Sequence, residues 1–162
     1  MADIALLQSR FEYHQDWPKP GILFCDILPA LRDPISFEVL ITNMMSHIFT
    51  TTLPKLAESA KDPRIHYVVG LDARGFLLAP AIAQRLGAGF VPVRKQGKLP
   101  GQCVQATFMK EYGEDIFEMQ QGAIPAGSNV LIVDDLIATG GSAKAAGELV
   151  KKLDANTVDT TS

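Results

Sequence analysis

Cysteine is scarce in this chain: Cys25 and Cys103 are the only two among 162 residues, and they stand in dissimilar settings. That leaves no disulfide framework and no metal-ligand spacing, and it points to a reducing compartment. Histidine is almost as rare. His14, His47 and His66 lie far apart with no credible nucleophile beside them, so a catalytic His pair has no basis here. No apolar run approaches the roughly 18 residues of a membrane span. The amino end lacks the basic-then-apolar pattern of a secretory signal, so the expected location is the cytoplasm, without a membrane partner. The net charge of −3 offers no general attraction to nucleic acid. Neither the GxxxxGK[ST] spacing of nucleoside triphosphatases nor the GxGxxG turn of dinucleotide binders occurs, which sets both classes aside. What remains, 47% hydrophobic and 20% charged, is the balance of an ordinary globular domain with one sizeable core.

Against these absences stands one dense segment. It reads Val130-Leu131-Ile132-Val133-Asp134-Asp135-Leu136-Ile137-Ala138-Thr139-Gly140-Gly141-Ser142. Four branched aliphatics in a row fit a strand buried on both faces of a parallel sheet. Two carboxylates mark its carboxyl end, and small residues and hydroxyls lead into an Ala-rich helical pattern. Free N–H groups at a helix start make an anion site, to which Thr139 and Ser142 add hydroxyl donors. Carboxylates do not hold phosphate; they accept from sugar hydroxyls or coordinate a divalent cation. A phosphorylated sugar with Mg²⁺ satisfies both halves of the segment.

The rest of the chain supplies an α/β frame. Residues 4–13 have the pattern of a short amphipathic helix, and residues 16–21 are forced by Pro18, Pro20 and Gly21 into an extended or turning path. Asp33-Pro34 predicts an N-cap with proline in the first helical position, ahead of Phe37, Leu40, Ile41, Met44 and Ile48 at helical spacing. A strand within residues 65–71, the Asp72-Ala73-Arg74-Gly75 turn, a helix over 76–86 stopped by Gly87, and a strand at 90–93 form a right-handed βαβ unit. Pro92 argues for an unusual place in the sheet. Arg74, at the end of its strand, offers a rigid fork for a second phosphate beside the first loop. Arg94, Lys95, Lys98 and Lys110 occur with no acidic residue between them, around a centre poor in either periodicity, and a mobile loop is expected. Glu111, Glu114, Asp115 and Glu118 follow as an acidic run, and this run argues against a nucleic-acid face.

These segments resemble the motifs of the type I phosphoribosyltransferases. Residues 130–142 are similar to the motif that binds 5-phosphoribosyl-1-pyrophosphate, and Asp72-Ala73-Arg74-Gly75-Phe76 resembles the pyrophosphate loop. Two further runs resemble the adenine-specific members: Pro20-Gly21-Ile22-Leu23-Phe24-Cys25-Asp26-Ile27, and residues 90–101 followed by Glu111-Tyr112-Gly113. The resemblance extends over residues 11–153, with four motifs in order. It implies a single domain over residues 1–162 with a mostly parallel central sheet flanked by helices. It also implies an amino-terminal base-recognition hood at 11–34 and a mobile catalytic loop at 94–113.

Carried over residue by residue, the resemblance gives Ala138, Thr139, Gly140, Gly141 and Ser142 the 5′-phosphate, and Asp134 and Asp135 the ribose hydroxyls. Ala73 and Arg74, with Arg94, Lys95 and Lys98, take pyrophosphate. Mg²⁺ is held mainly through the substrate, with Asp134 and Asp135 as neighbours. Phe24 stacks on adenine, the backbone around Cys25 reads its edge, and Glu111 and Tyr112 serve catalysis. Ala138 stands where oxopurine-specific members carry an aspartate, which favours adenine. The implied reaction joins adenine to 5-phosphoribosyl-1-pyrophosphate, giving AMP and pyrophosphate in purine salvage by a homodimer. An oxopurine transferase and a non-catalytic phosphoribosyl-pyrophosphate-binding form are the alternatives. Family members continue after Leu153 through another strand. Residues 154–162 are polar, and they predict a frayed end, a missing sheet element and an impaired form.

Overall fold

The computed structural model describes residues 2–110, 113–135 and 141–162. They fall into two compact units that divide between Ser46 and His47.

In the first unit, α1 (Ala2–Arg10) is followed by β1 (Glu12–Gln15) and β2 (Leu23–Asp26), then α2 (Leu28–Arg32) and α3 (Pro34–His47). The helix expected over 4–13 ends at Arg10, because Tyr13 and His14 are taken into an antiparallel ribbon opposite Cys25 and Phe24. Between the strands, Asp16 Oδ1 accepts the Gly21 N–H at 2.6 Å and closes the turn that the prolines impose. Trp17 packs edge-on against Phe24 with ring centroids 4.3 Å apart. Asp33 caps α3 as expected, accepting the Ser36 N–H at 3.3 Å and hydroxyl at 2.6 Å. Those bonds stabilise the ionised carboxylate, the Ser36 hydroxyl first, and lower its pKa.

The second unit opens with a π-helical turn at Ile48–Thr52 and α4 (Leu53–Ser59). Then come β3 (Tyr67–Leu71), α5 (Gly75–Leu86), β4 (Gly89–Lys95), β5 (Cys103–Lys110) and β6 (Gly113–Gln120). The chain finishes with β7 (Asn129–Val133), α6 (Gly141–Lys152) and β8 (Asn156–Thr161). The sheet order is β5-β6-β4-β3-β7-β8. β4, β3, β7 and β8 run parallel, whereas β5 and β6 form an antiparallel flank beside β4. Central strands need both faces covered, and β3 and β7 meet that demand with Val68, Val69 and residues 130–133 at most 1% exposed.

Pro92 has a place that spares the ladder. Gly89 N–H and Val93 C=O both bond toward β3, so the alternate residue Pro92 turns its nitrogen to the other edge. There β6 pairs only with Arg94 and Lys95.

Two expectations are corrected. Residues 103–110 of the expected loop are strand β5, paired over its whole length with β6. The polar carboxyl segment, expected to fray and to leave a sheet element missing, is strand β8, parallel to β7 from Asn156 to Thr161. Ladder hydrogen bonds do not require apolar side chains, and Asp159 is engaged in its own right. It accepts a short hydrogen bond from the buried Thr52 hydroxyl, and His47 Nε2 lies 3.7 Å from the same oxygen.

Candidate active site

The chemistry gathers at the carboxyl ends of β3 and β7, where open α/β sheets bind ligands. β3 delivers Asp72, whose N–H bonds to Val93 O at 3.0 Å, and the chain then turns through a cis Asp72–Ala73 peptide and Arg74 into α5. A Cβ on Gly75 would lie 2.7 Å from Val133 O, so only glycine lets the start of α5 sit this close to the end of β7. This close approach brings the two motifs together: Arg74 Nε lies 2.9 Å from Asp135 Oδ2. Asp135 is 5% exposed, and that oxygen accepts no well-directed hydrogen bond among the described residues, so the pair is held by charge.

Asp134 has different surroundings. Its N–H bonds to Thr161 O at 3.2 Å, so β8 supports the acidic turn, and its Oδ1 accepts the Asp135 N–H at 2.9 Å. Burial pushes its pKa up to about 6, and the Asp135 charge pushes the same way. The Asp135 N–H and the Arg74 charge offset only part of that rise.

β4 adds the next cations. Arg94 Nε bonds to Asp72 Oδ2 at 2.8 Å, and its guanidinium carbon stands 5.9 Å from the centre of the Phe76 ring. Lys95 Nζ lies 3.3 Å from Asp115 Oδ2 on β6. Lys98 N–H closes a turn onto Lys95 O at 3.2 Å, and its own carbonyl accepts from Arg94 Nη1 at 3.3 Å. Sequence reasoning gave no role to Asp72, Asp115 or Phe76. The pairing of β4 with β3 and β6 brings Asp72 and Asp115 to Arg94 and Lys95, and α5 brings Phe76 to Arg94; only the place of Asp72 and Phe76 in the Arg74 turn signalled this in advance.

Of the other expected site residues, Ala73 begins the α5 turn, its carbonyl accepting from Phe76 N–H at 3.2 Å. Gly141 and Ser142 open the twelve-residue helix α6, a start suited to an anion. Phe24 and Cys25 lie partly buried on the β1–β2 ribbon of the first unit. Glu111, Tyr112, Ala138, Thr139 and Gly140 lie outside the described residues. His66 ties strands together away from this chemistry. Its Nδ1 accepts the Asn129 N–H at 2.9 Å, and its Nε2 faces Asp62 Oδ2 at 3.1 Å. Cavities of about 520 and 600 Å³ open by the amino ends of β3 and β7, at the far end of the sheet from the acidic pair. On the ribbon, Glu12, His14 and Asp26 each present one ligand atom within 4.8 Å of the others, so this group could coordinate a metal ion.

The parallel strands β3 and β7 set an arginine turn against an acidic pair, ahead of a helix start. A model of the phosphoribosyl transferase domain matches residues 48–161, more than half of the chain, and the chain belongs to that family. Adenine phosphoribosyltransferase 1 of Saccharomyces cerevisiae is 53% identical over 153 residues, covering 94% of this chain and 78% of that protein. The adenine phosphoribosyltransferase of Cricetulus griseus is 43% identical over 161 residues, covering 99% and 84%. A crystal structure of the Saccharomyces cerevisiae enzyme, complexed with an imino-altritol bisphosphate and adenine, superposes with a TM-score of 0.85 at 49% identity, covering 99% of this chain and 89% of that one. Within the family, the chain falls among the adenine phosphoribosyltransferases. These enzymes transfer the phosphoribosyl group of 5-phosphoribosyl-1-pyrophosphate to adenine, giving AMP and pyrophosphate. No helix among the described residues is long and apolar enough to cross a membrane.

Proposed function

We propose that this chain performs the adenine transfer of its family through a division of labour between the turns at the ends of β3, β4 and β7. The observation that supports this reading is the 2.9 Å Arg74–Asp135 pair, which joins the pyrophosphate loop to the ribose-facing carboxylates. In the reaction the bond from C1′ to pyrophosphate breaks. Positive charge develops on the ribosyl ring and negative charge on the leaving group. Arg74, Arg94, Lys95 and Lys98 face the leaving anion, and Asp134 and Asp135 accept from the ribose hydroxyls. Residues 138–142 hold the 5′-phosphate. Glu111 assists the attacking adenine nitrogen and Tyr112 helps to close the site over it. Phe24 stacks on the base, with the backbone at Cys25 along its edge.

Mg²⁺ suits the donor set. Asp134 and Asp135 are hard oxygen ligands, and Asp134 has the desolvated carboxyl that a neighbouring cation would keep ionised. When bound with the sugar pyrophosphate, the ion supplies charge neutralisation on the departing oxygens. The functional unit is a homodimer, carried from the family resemblance, and its expected location is the cytoplasm, from the missing secretory pattern; light scattering on the purified protein tests the first.

The test uses the double substitution Asp134→Asn/Asp135→Asn. Calorimetry with 5-phosphoribosyl-1-pyrophosphate and Mg²⁺ should show severely weakened binding together with loss of AMP formation. Unchanged affinity and turnover would reject the ribose-facing pair.

A further inference from the structure

Glu118 belongs to the acidic run that follows the basic segment. On β6 it alternates with Phe117 and Met119, which point into the core, so strand geometry assigns it to the other side of the sheet. It is nevertheless only 6% exposed. A carboxylate withdrawn from water needs donors, and both of its oxygens have one. Oε2 accepts the Gly97 N–H at 2.8 Å, and Oε1 accepts from Gln105 Nε2 at 2.8 Å. Sheet register makes this possible, because Glu118 lies opposite Arg94 on β4 and opposite Gln105 on β5.

Gly97 is the second inner residue of the Lys95–Lys98 turn and holds a φ of 78°, a conformation that favours glycine. The residues of this turn are solvent-exposed. It is fastened on one side by Glu118 and on the other by Arg94, which donates to Lys98 O. A buried carboxylate anchoring an exposed pair of lysines is more than a flexible cation patch requires.

We propose that Glu118 is a positioning residue for pyrophosphate: by gripping the Gly97 N–H and Gln105, it fixes the turn from which Lys95 and Lys98 meet the leaving group. The inference rests on the role given above to those two lysines. Glu118 touches no substrate and acts through the turn. Its negative charge matters because both groups aimed at it are donors. An amide presents an oxygen at one end and N–H at the other, so Glu118→Gln satisfies one donor and opposes the other.

Steady-state kinetics with Mg²⁺ test this. Glu118→Gln should raise KM for 5-phosphoribosyl-1-pyrophosphate and the pyrophosphate inhibition constant by about tenfold, the scale of one charge-assisted contact. KM for adenine and kcat at saturation should stay within about twofold. A purely structural role would not produce that split. In a Lys95→Ala/Lys98→Ala background, Glu118→Gln should add nothing further to KM for the sugar pyrophosphate. Glu118→Asp, which keeps the charge but draws it back from Gly97, should repeat the split if the glutamine variant does not fold. Sugar-pyrophosphate KM unchanged in a folded variant, or an undiminished effect without the lysines, overturns the proposal. So does failure of both variants to fold, since the carboxylate would then serve the whole fold. If Lys95→Ala/Lys98→Ala alone, with Glu118 intact, leaves that KM unchanged, the lysine-turn reading itself fails.

Discussion

Asp134 and Asp135 are neighbours in sequence with opposite electrostatic circumstances. Arg74 sits against Asp135, whereas burial dominates at Asp134 and raises its pKa from 3.8 to about 6. Between those values the folded protein binds more protons than the unfolded chain, so the contribution of Asp134 to stability is complete below the lower value and is lost as pH rises through the higher one. Asp134→Asn removes this dependence. In ligand-free protein, the melting temperature of the variant relative to the parent should climb as pH goes from about 4 to about 7. A constant difference, or one falling with pH, would contradict the assignment. Glu111 supplies a second residue-scale test. Glu111→Gln should lower the single-turnover rate by roughly 10²–10⁴-fold while sugar-pyrophosphate binding persists; a rate within about twofold would place proton transfer elsewhere. Arg74, Asp134 and Asp135 were legible from the sequence because each follows an aliphatic run that predicts a strand end. The partners of Arg94 and Glu118 were not. They come from register across separate strands, which one chain of letters does not state.

At the scale of elements, the helices follow from their punctuation: Asp33-Pro34 starts α3, and Gly87 closes α5 inside the βαβ unit. The strands that the sequence does not announce lack that punctuation. β5 carries an alternation, with Val104 and Ala106 at every second place, but the centre at 96–101, poor in either periodicity, extends the loop reading over it. β8 is polar apart from Val158, and its membership in the sheet depends on backbone pairing with β7 and on a side-chain clasp to Thr52. That clasp can be measured. Asp159→Ala leaves the Thr52 hydroxyl, in a residue 2% exposed, without this acceptor, and should cost about 1–3 kcal/mol in urea unfolding with an unchanged m value. No change in the unfolding midpoint would show that β8 is held by its ladder alone. Because Thr161 O accepts the Asp134 N–H, the segment whose composition predicts a frayed end also supports the acidic turn.

For the molecule as a whole, the residues proposed for phosphate chemistry and those proposed for base recognition lie in different stretches of chain. The second unit contains the arginine turn, the acidic pair and the start of α6. The first contains Phe24 with Trp17 packed on it. Phosphate loops alone would serve any phosphoribosyl acceptor, so the claim of adenine specificity rests on Phe24, on Ala138 in place of a base-serving aspartate, and on Glu111. Competition among bases reaches that claim most directly. Purified protein supplied with Mg²⁺ and 5-phosphoribosyl-1-pyrophosphate should consume adenine much faster than hypoxanthine, guanine or orotate, releasing AMP and pyrophosphate in equal amounts. Comparable consumption of hypoxanthine or guanine would contradict it.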